Sequence, residues 1–88
     1  MSESLGATHD DVEQWVIEVC QNLGLPMDEV AADFFEAGAT SLTAMKLIAR
    51  AEERYGQDAL PPDDLFAGSS VQEIAASIRR NGNRVAKG

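Results

Sequence analysis

The sequence predicts an all-α fold, a small four-helix bundle of three main helices and one short helix with a long first loop. Three stretches repeat apolar residues at helical spacing, which is the main sequence signal for amphipathic helices. Apolar residues make up 44% of the sequence, but aromatic residues only 6%. An aliphatic core of this kind favours a helical bundle over a β-sandwich. At 88 residues the chain is long enough for one domain.

The first main helix is predicted in the segment HDDVEQWVIEVCQNLG. Asp10 and Asp11 suit the positive N-terminal end of a helix, and Gly24 is well placed to end it. Cys20 borders the apolar face and is expected to pack in the core rather than to react. The apolar face consists of Val12, Trp15, Val16, Val19 and Leu23.

A long connection, residues 25–40, separates the first helix from the second. Long loops in small domains are often functional. We expect Phe34 and Phe35 to hold this loop against the core, with help from Met27 and Val30.

The second helix is predicted over 41–55 and carries apolar residues on two faces. The core face consists of Ala44, Leu47, Ile48, Ala51 and Tyr55. A smaller set lies about 130° away from its centre and consists of Leu42, Met45 and Ala49. Beside it a basic rib repeats every four residues and consists of Lys46, Arg50 and Arg54. The rib indicates solvent, so the smaller apolar set is available to a partner.

The rest of the chain is predicted to form a short helical turn, at DDLFAG, and a third main helix. Ser70 and Glu73 form a capping-box pattern at the start of this last helix. Its apolar face consists of Val71, Ile74, Ala75 and Ile78. Periodicity is lost after residue 81. We therefore expect a flexible N-terminal tail over 1–8, a folded domain over 9–81 and a flexible C-terminal tail over 82–88.

The charge pattern opposes several functional classes. The net charge is −8, and nine of the fifteen acidic residues precede residue 37, where no Lys or Arg occurs. Such a surface repels nucleic acid and anionic lipid and favours docking to basic protein surfaces. One cysteine allows no disulfide framework, and no apolar run is long enough for a membrane span or a signal peptide. We expect a cytoplasmic monomer without nucleic-acid or membrane partners.

The sequence has few catalytic candidates. His9 is the only histidine, so a Ser-His or Cys-His device lacks a good base. The acidic pairs are adjacent in sequence and would not converge on one substrate, and no metal-binding motif occurs. Ser41 stands where the second helix starts. Either Thr40 or Ser41 could cap the helix, and a helix start also favours a bound anion.

The segment DFFEAGATSL, followed by TAMKLIARAEERYG and LFAGSSVQEIA, resembles the phosphopantetheine-dependent carrier proteins. These are the acyl and peptidyl carriers of fatty-acid, polyketide and nonribosomal-peptide assembly. The resemblance covers about residues 10–80. Its motif pairs a loop signature with a serine at a helix start, and it matches at Asp33, Phe34, Phe35, Glu36, Gly38, Ser41 and Leu42.

The resemblance implies a covalent carrier without catalysis of its own. A phosphopantetheinyl transferase, using coenzyme A and magnesium, would attach a 4'-phosphopantetheine arm to Ser41. The thiol of the arm would hold aminoacyl, peptidyl or acyl groups as thioesters for adenylation, condensation, ketosynthase or thioesterase-type enzymes. The residues expected to contact these partners are Thr40, Leu42, Met45, Lys46 and Ala49.

Several departures from the family pattern bear on the class of carrier. Thr40 stands where acyl carriers often have Asp and peptidyl carriers often have His, and Ala39 replaces the second glycine of many peptidyl carriers. The paired phenylalanines and the basic rib favour a peptidyl carrier of nonribosomal-peptide or hybrid peptide-polyketide assembly, with an acyl carrier as the alternative. Met1 and the short tails favour a free-standing protein, and a domain of a larger synthase stays open as the alternative.

Two hypotheses from other classes remain open. The chain could be an unmodified helical adaptor that binds a partner helix through Leu42, Met45 and Ala49. It could also be a small nucleic-acid-binding domain, for which the basic rib is the sole support and which the net charge opposes.

Overall fold

The computed structural model describes residues 11–87, with side chains as far as residue 82. In this part of the chain, helices and turns account for the fold, together with one isolated bridge between Asp33 and Ser70. The helices are α1 (Asp11–Asn22), α2 (Ser41–Tyr55), α3 (Pro62–Ala67) and α4 (Val71–Lys87). The predicted all-α bundle of three main helices and one short helix is confirmed. The predicted tail over 1–8 and His9 lie outside the described residues.

The first helix buries a wider face than its periodicity predicts. Val16 and Val19 are buried as expected, while the rest of the predicted face is only partly buried. Ile17 is buried as well, although the sequence did not place it on the core face. The face is wide because α1 packs against both α2 and α4. Cys20 is fully buried, so the expected packing role is confirmed.

The last helix contacts each of the other three, and α1 most extensively. Its predicted apolar face is confirmed, and the following residues are buried: Val71, Ile74, Ala75 and Ile78. The predicted capping box is also present. The Ser70 hydroxyl accepts a 3.2 Å hydrogen bond from the Glu73 amide, and the Glu73 carboxylate accepts one of 3.1 Å from the Ser70 amide.

The predicted end of the last helix near residue 81 is wrong. The backbone stays helical as far as Lys87, so the loss of apolar periodicity does not end the helix. Gly82 is buried within the helix rather than breaking it. A Cβ atom added to Gly82 would lie 3.2 Å from the Cβ of Tyr55, so the glycine lets α4 approach α2 closely. The domain boundaries themselves stay a prediction.

The long first loop is folded onto the bundle. Met27 and Phe34 are fully buried, and Val30 and Phe35 are partly buried, as expected. The loop also bonds to the start of α4 through its backbone. The Phe34 amide donates to the Ser69 carbonyl at 2.8 Å, and the Ala32 carbonyl accepts from the Val71 amide at 3.0 Å. These contacts fix the path of the chain into α2.

No helix within residues 11–87 has the length and apolar character needed to cross a bilayer.

Candidate functional site

The start of α2 is capped by Thr40. Its backbone is extended, with φ −108° and ψ 178°, and its hydroxyl accepts a 3.3 Å hydrogen bond from the Thr43 amide. The Thr43 hydroxyl in turn accepts a 3.2 Å bond from the Thr40 amide. This reciprocal arrangement is a capping box built from two threonines. The sequence left open whether Thr40 or Ser41 is the cap, and the structure assigns that role to Thr40.

Ser41 is therefore the first residue of the helix and does not cap it. Its side chain is exposed, and no described group forms a hydrogen bond with its hydroxyl. The first-turn amides of Thr43 and Ala44 are satisfied by Thr40, through its hydroxyl and its carbonyl. The amides of Ser41 and Leu42 have no acceptor among the described residues. This end of the helix can stabilise a negatively charged group bonded to Ser41.

Asp33 holds the loop that leads to Ser41. One carboxylate oxygen accepts a 2.7 Å hydrogen bond from the Ser69 hydroxyl, and the other accepts one of 3.0 Å from the Glu36 amide. The bond from Ser69 and then the bond from the Glu36 amide lower the pKa of Asp33, because both favour the charged carboxylate. Asp33 thus ties the loop to the α3–α4 connection. The aspartate of the motif therefore has a structural role.

Gly38 makes the turn between this anchor and Ser41. Its φ is +115°, a region that residues with a side chain rarely adopt. Its amide donates a 3.1 Å bond to the Phe35 carbonyl. A Cβ atom at Gly38 would meet no other atom within 4 Å. The glycine is required by backbone conformation, not by lack of space.

The outward face of α2 carries exposed apolar residues, as predicted. Leu42 is 61% exposed and Met45 is 66% exposed. Ala49 and Lys46 are also exposed. The opposite face is in the core, and its buried residues are Ala44, Leu47 and Ala51. The two-faced character of the helix is confirmed, and the partner role of its outward face stays a prediction.

Phe66 is a further exposed apolar residue that the sequence reasoning missed. It is 58% exposed and stacks on Phe35, with ring centroids 5.4 Å apart and planes 11° apart. Phe35 in turn meets Phe34 edge-on at 5.1 Å. A signal was present in the sequence, because adjacent residues of a helix point about 100° apart. A short helix that buries a narrow face takes up only one of two adjacent residues, and here Leu65 is buried and Phe66 is exposed.

The described residues contain no arrangement suited to catalysis. Ser77 donates a 2.8 Å hydrogen bond to Asp64, and Asn81 donates one of 3.2 Å. These bonds, that of Ser77 first, lower the pKa of Asp64, so Asp64 is a poor base for activating the serine. Burial raises the pKa of Cys20 to about 12. Within residues 11–87 no group of three or more His, Cys, Asp or Glu could hold a metal ion.

The comparison with protein families agrees with the site. The sequence model of the family described as "Phosphopantetheine attachment site" matches residues 16–78, which run from α1 through the first loop and α2 into α4. The chain belongs to this family. Domains of the family carry a 4'-phosphopantetheine group, and the start of α2 fits such a group. There the exposed Ser41 hydroxyl, which bonds to no described group, stands beside two backbone amides that can face a phosphate.

Three curated relatives contain a segment similar to this chain. Tyrocidine synthase 3 of Brevibacillus parabrevis is 36% identical over 73 residues, which is 82% of this chain and 1% of the relative. Nonribosomal peptide synthetase penN of Penicillium thymicola is 37% identical over 71 residues, or 80% of this chain and 2% of the relative. D-lysergyl-peptide-synthetase subunit 2 of Epichloe festucae var. lolii is 39% identical over 59 residues, or 65% and 4%.

The chain therefore spans only a few per cent of the length of these relatives. No solved structure matches it significantly.

Proposed function

We propose that this protein is a carrier that holds its cargo on a 4'-phosphopantetheine arm bonded to the Ser41 hydroxyl. The observation that carries the proposal is that Ser41 is exposed at the first position of α2 while Thr40 performs the capping. The hydroxyl can therefore be modified without loss of the hydrogen bonds that start the helix. Ser41 needs no base of its own, since a separate phosphopantetheinyl transferase supplies the chemistry.

The positive end of α2 and the loop that precedes it both assist this modification. The Ser41 oxygen forms a bond to the phosphorus of the phosphopantetheinyl group as the pyrophosphate bond of coenzyme A breaks. Adenosine 3',5'-bisphosphate leaves with the electron pair of that bond, and the transferase takes up the serine proton. The resulting phosphodiester is an anion at the positive end of α2, which is favourable by about 0.3–1 kcal/mol. The bound arm supplies a thiol, on which acyl groups are held as thioesters. Asp33 and Gly38 fix the loop so that Ser41 is presented to the transferase.

The cargo we propose is an aminoacyl or peptidyl group in nonribosomal-peptide assembly. The support is that the three relatives are named as tyrocidine, nonribosomal-peptide and lysergyl-peptide synthetases. The partners would then be the transferase and adenylation, condensation or thioesterase-type enzymes. The protein itself would be a non-catalytic substrate of these enzymes. A tethered arm serves them by keeping one intermediate at high effective concentration.

The partner surface we propose is the outward face of α2. It begins beside the attachment site and consists of Thr40, Leu42, Met45, Lys46 and Ala49, all of which are exposed. An exposed apolar set next to a modified residue is what an enzyme must contact to reach that residue. The aromatic stack of Phe35 and Phe66 adds a second exposed apolar element on the neighbouring loop and α3.

Intact mass spectrometry tests the proposal. The protein is incubated with coenzyme A, magnesium and a broad-specificity phosphopantetheinyl transferase, and the Ser41→Ala and Ser69→Ala variants are treated in parallel. The wild type and Ser69→Ala should each gain one phosphopantetheine, and Ser41→Ala should gain none. Gain on Ser41→Ala would refute the attachment site. A folded wild type that gains nothing from two different transferases would instead support the unmodified adaptor.

A further inference from the structure

The outward face of α2 has a charge opposite to that of the whole chain. The chain carries a net charge of −8, yet between Ser41 and Ala51 the helix contains Lys46 and Arg50 and no acidic residue. Its two carboxylates, on Glu52 and Glu53, belong to the last turn. The first three turns of α2 therefore form a positive region on a negative protein, next to the proposed attachment site.

Lys46 and Arg50 are adjacent to the exposed apolar residues. Helical neighbours are three or four residues apart, so Lys46 lies next to Leu42 and Ala49, and Arg50 follows one turn later. Both cations are exposed, and neither forms an ion pair with a described residue. Arg54, the third member of the basic rib, differs because its guanidinium lies 5.7 Å from the ring centre of Tyr55.

The charges of Lys46 and Arg50 decide which kind of partner surface can bind to this face. A charged group that borders an apolar contact is partly desolvated when a partner covers it, so an opposite charge facing it gains in strength and a like charge is penalised. Within the described residues, no carboxylate forms an ion pair with Lys46 or Arg50. A partner with a basic rim would be repelled at this face even though the net charge of the chain attracts it.

We propose that the α2 face, defined by Leu42, Met45, Lys46, Ala49 and Arg50, docks onto partner proteins that present an apolar surface bordered by carboxylates. The inference rests on the proposed function and adds the polarity of its partners. It reverses, for this face, the expectation from net charge that basic surfaces are preferred. Leu42 and Met45 supply the apolar contact, and the two cations select the partner and orient it.

Two synthetic amphipathic helical peptides test this polarity. Both carry the same leucine face, which is flanked by glutamates in one peptide and by lysines in the other. Each is titrated into isotope-labelled protein and followed by NMR. The glutamate peptide should shift the backbone amides of 42–50. The lysine peptide should leave these amides unchanged and affect acidic regions elsewhere. Raising the salt from about 50 to about 500 mM should weaken the glutamate peptide several-fold.

A matched pair of variants separates local charge from net charge. Replacing Lys46 and Arg50 by glutamine changes the net charge by −2 and should weaken the glutamate peptide on the order of tenfold. Replacing the exposed Gln57 and Gln72 by glutamate changes the net charge equally and should alter binding by less than about twofold. Shifts of 42–50 by the lysine peptide, equal effects of the two pairs, or no shift with either peptide would overturn the proposal.

The same protein preparations are assayed for arm attachment by intact mass. A wild type that gains the arm but shows no preference for the glutamate peptide would refute the partner polarity alone. A wild type that binds the glutamate peptide at 42–50 but never gains the arm would refute the carrier function and leave an acid-selective adaptor.

Discussion

Thr40 and Thr43 are joined by two reciprocal bonds, because the hydroxyl of each accepts from the backbone amide of the other, at 3.3 and 3.2 Å. At the start of α2, helix capping and the proposed attachment of the arm therefore belong to different residues. The helix is capped by Thr40 and Thr43, and the Ser41 hydroxyl bonds to no group within the described residues. The capping of α2 should therefore be independent of the Ser41 hydroxyl.

The first prediction concerns that independence. Thr40→Val keeps the shape of the side chain but removes the acceptor, so it should lower the free energy of unfolding by about 0.5–2 kcal/mol. Ser41→Ala should change it by less than about 0.5 kcal/mol, because no described group bonds to the Ser41 hydroxyl. Urea unfolding followed by circular dichroism measures both. An equal loss in the two variants would show that Ser41 shares in the capping.

The second prediction concerns thiol reactivity. Cys20 is the only cysteine, it is fully buried, and burial raises its pKa to about 12. The thiol therefore stays protonated at pH 8, and it is also out of reach of solvent. The unmodified protein should show no fast-reacting thiol with a thiol-specific dye. After treatment with the transferase and coenzyme A it should show one, from the arm.

Urea supplies the control for that measurement. In denaturant the unmodified protein should expose one reactive thiol and the modified protein two. Fast labelling of the native unmodified protein would contradict the buried position of Cys20, and Cys20→Ala would show whether that cysteine is the residue labelled.

The third prediction concerns acid stability. The pKa of Asp33 is lowered in the folded protein by the bond from Ser69 and then by that from the Glu36 amide. A carboxyl with a lowered folded pKa contributes stability above its unfolded pKa of about 4 and loses it as the pH falls through the folded value. Asp33→Asn should therefore destabilise the protein at pH 7. In this variant the free energy of unfolding should also fall less steeply as the pH drops below about 4.

Asp28→Asn is the matched control, since Asp28 is exposed in the same loop. The slope of unfolding free energy against pH, measured from about pH 6 to about pH 2.5, distinguishes the two variants. The pKa of Asp64 is also lowered, by Ser77 first, so Asp33→Asn should remove only part of the slope. An unchanged slope would mean that the Asp33–Ser69 bond does not stabilise the native state.

The helices and both faces of α2 could be predicted because they follow from residue spacing. Leu47 and Leu42 are five residues apart, which is about 140° around a helix, so one had to be buried when the other was exposed. The capping box of Ser70 and Glu73 was predictable for a similar reason, since both partners lie within four residues of each other. Local patterns of this kind do not depend on the rest of the fold.

The features that could not be predicted depend on distant contacts. The bond between Asp33 and Ser69 joins residues 36 positions apart, and nothing in either segment indicates it. The loss of apolar periodicity after residue 81 suggested the end of a helix, but α4 continues to Lys87, and Gly82 is placed against Tyr55 on another helix. Thr40 and Ser41 were equally plausible caps, because both residue types cap helices and only the backbone geometry decides between them.

The last prediction separates stability from recognition on α2. Leu42 and Met45 are exposed, so replacing either by alanine should change the free energy of unfolding by less than about 0.5 kcal/mol. Leu47 is fully buried, and Leu47→Ala should cost about 2–5 kcal/mol. If the outward face docks to enzymes, Leu42→Ala and Met45→Ala should each lower kcat/KM for arm transfer by about fivefold to thirtyfold, the effect of truncating an interface anchor.

Leu47→Ala provides the contrast. It should lose stability, but under conditions where it remains folded it should accept the arm with the wild-type kcat/KM. Steady-state transfer of a fluorescent coenzyme A analogue at fixed transferase concentration measures all three variants, and circular dichroism verifies folding. If the two exposed variants kept the wild-type kcat/KM, the transferase would not contact this face. If they instead lost stability as Leu47→Ala does, the outward residues would belong to the fold and not to a docking surface.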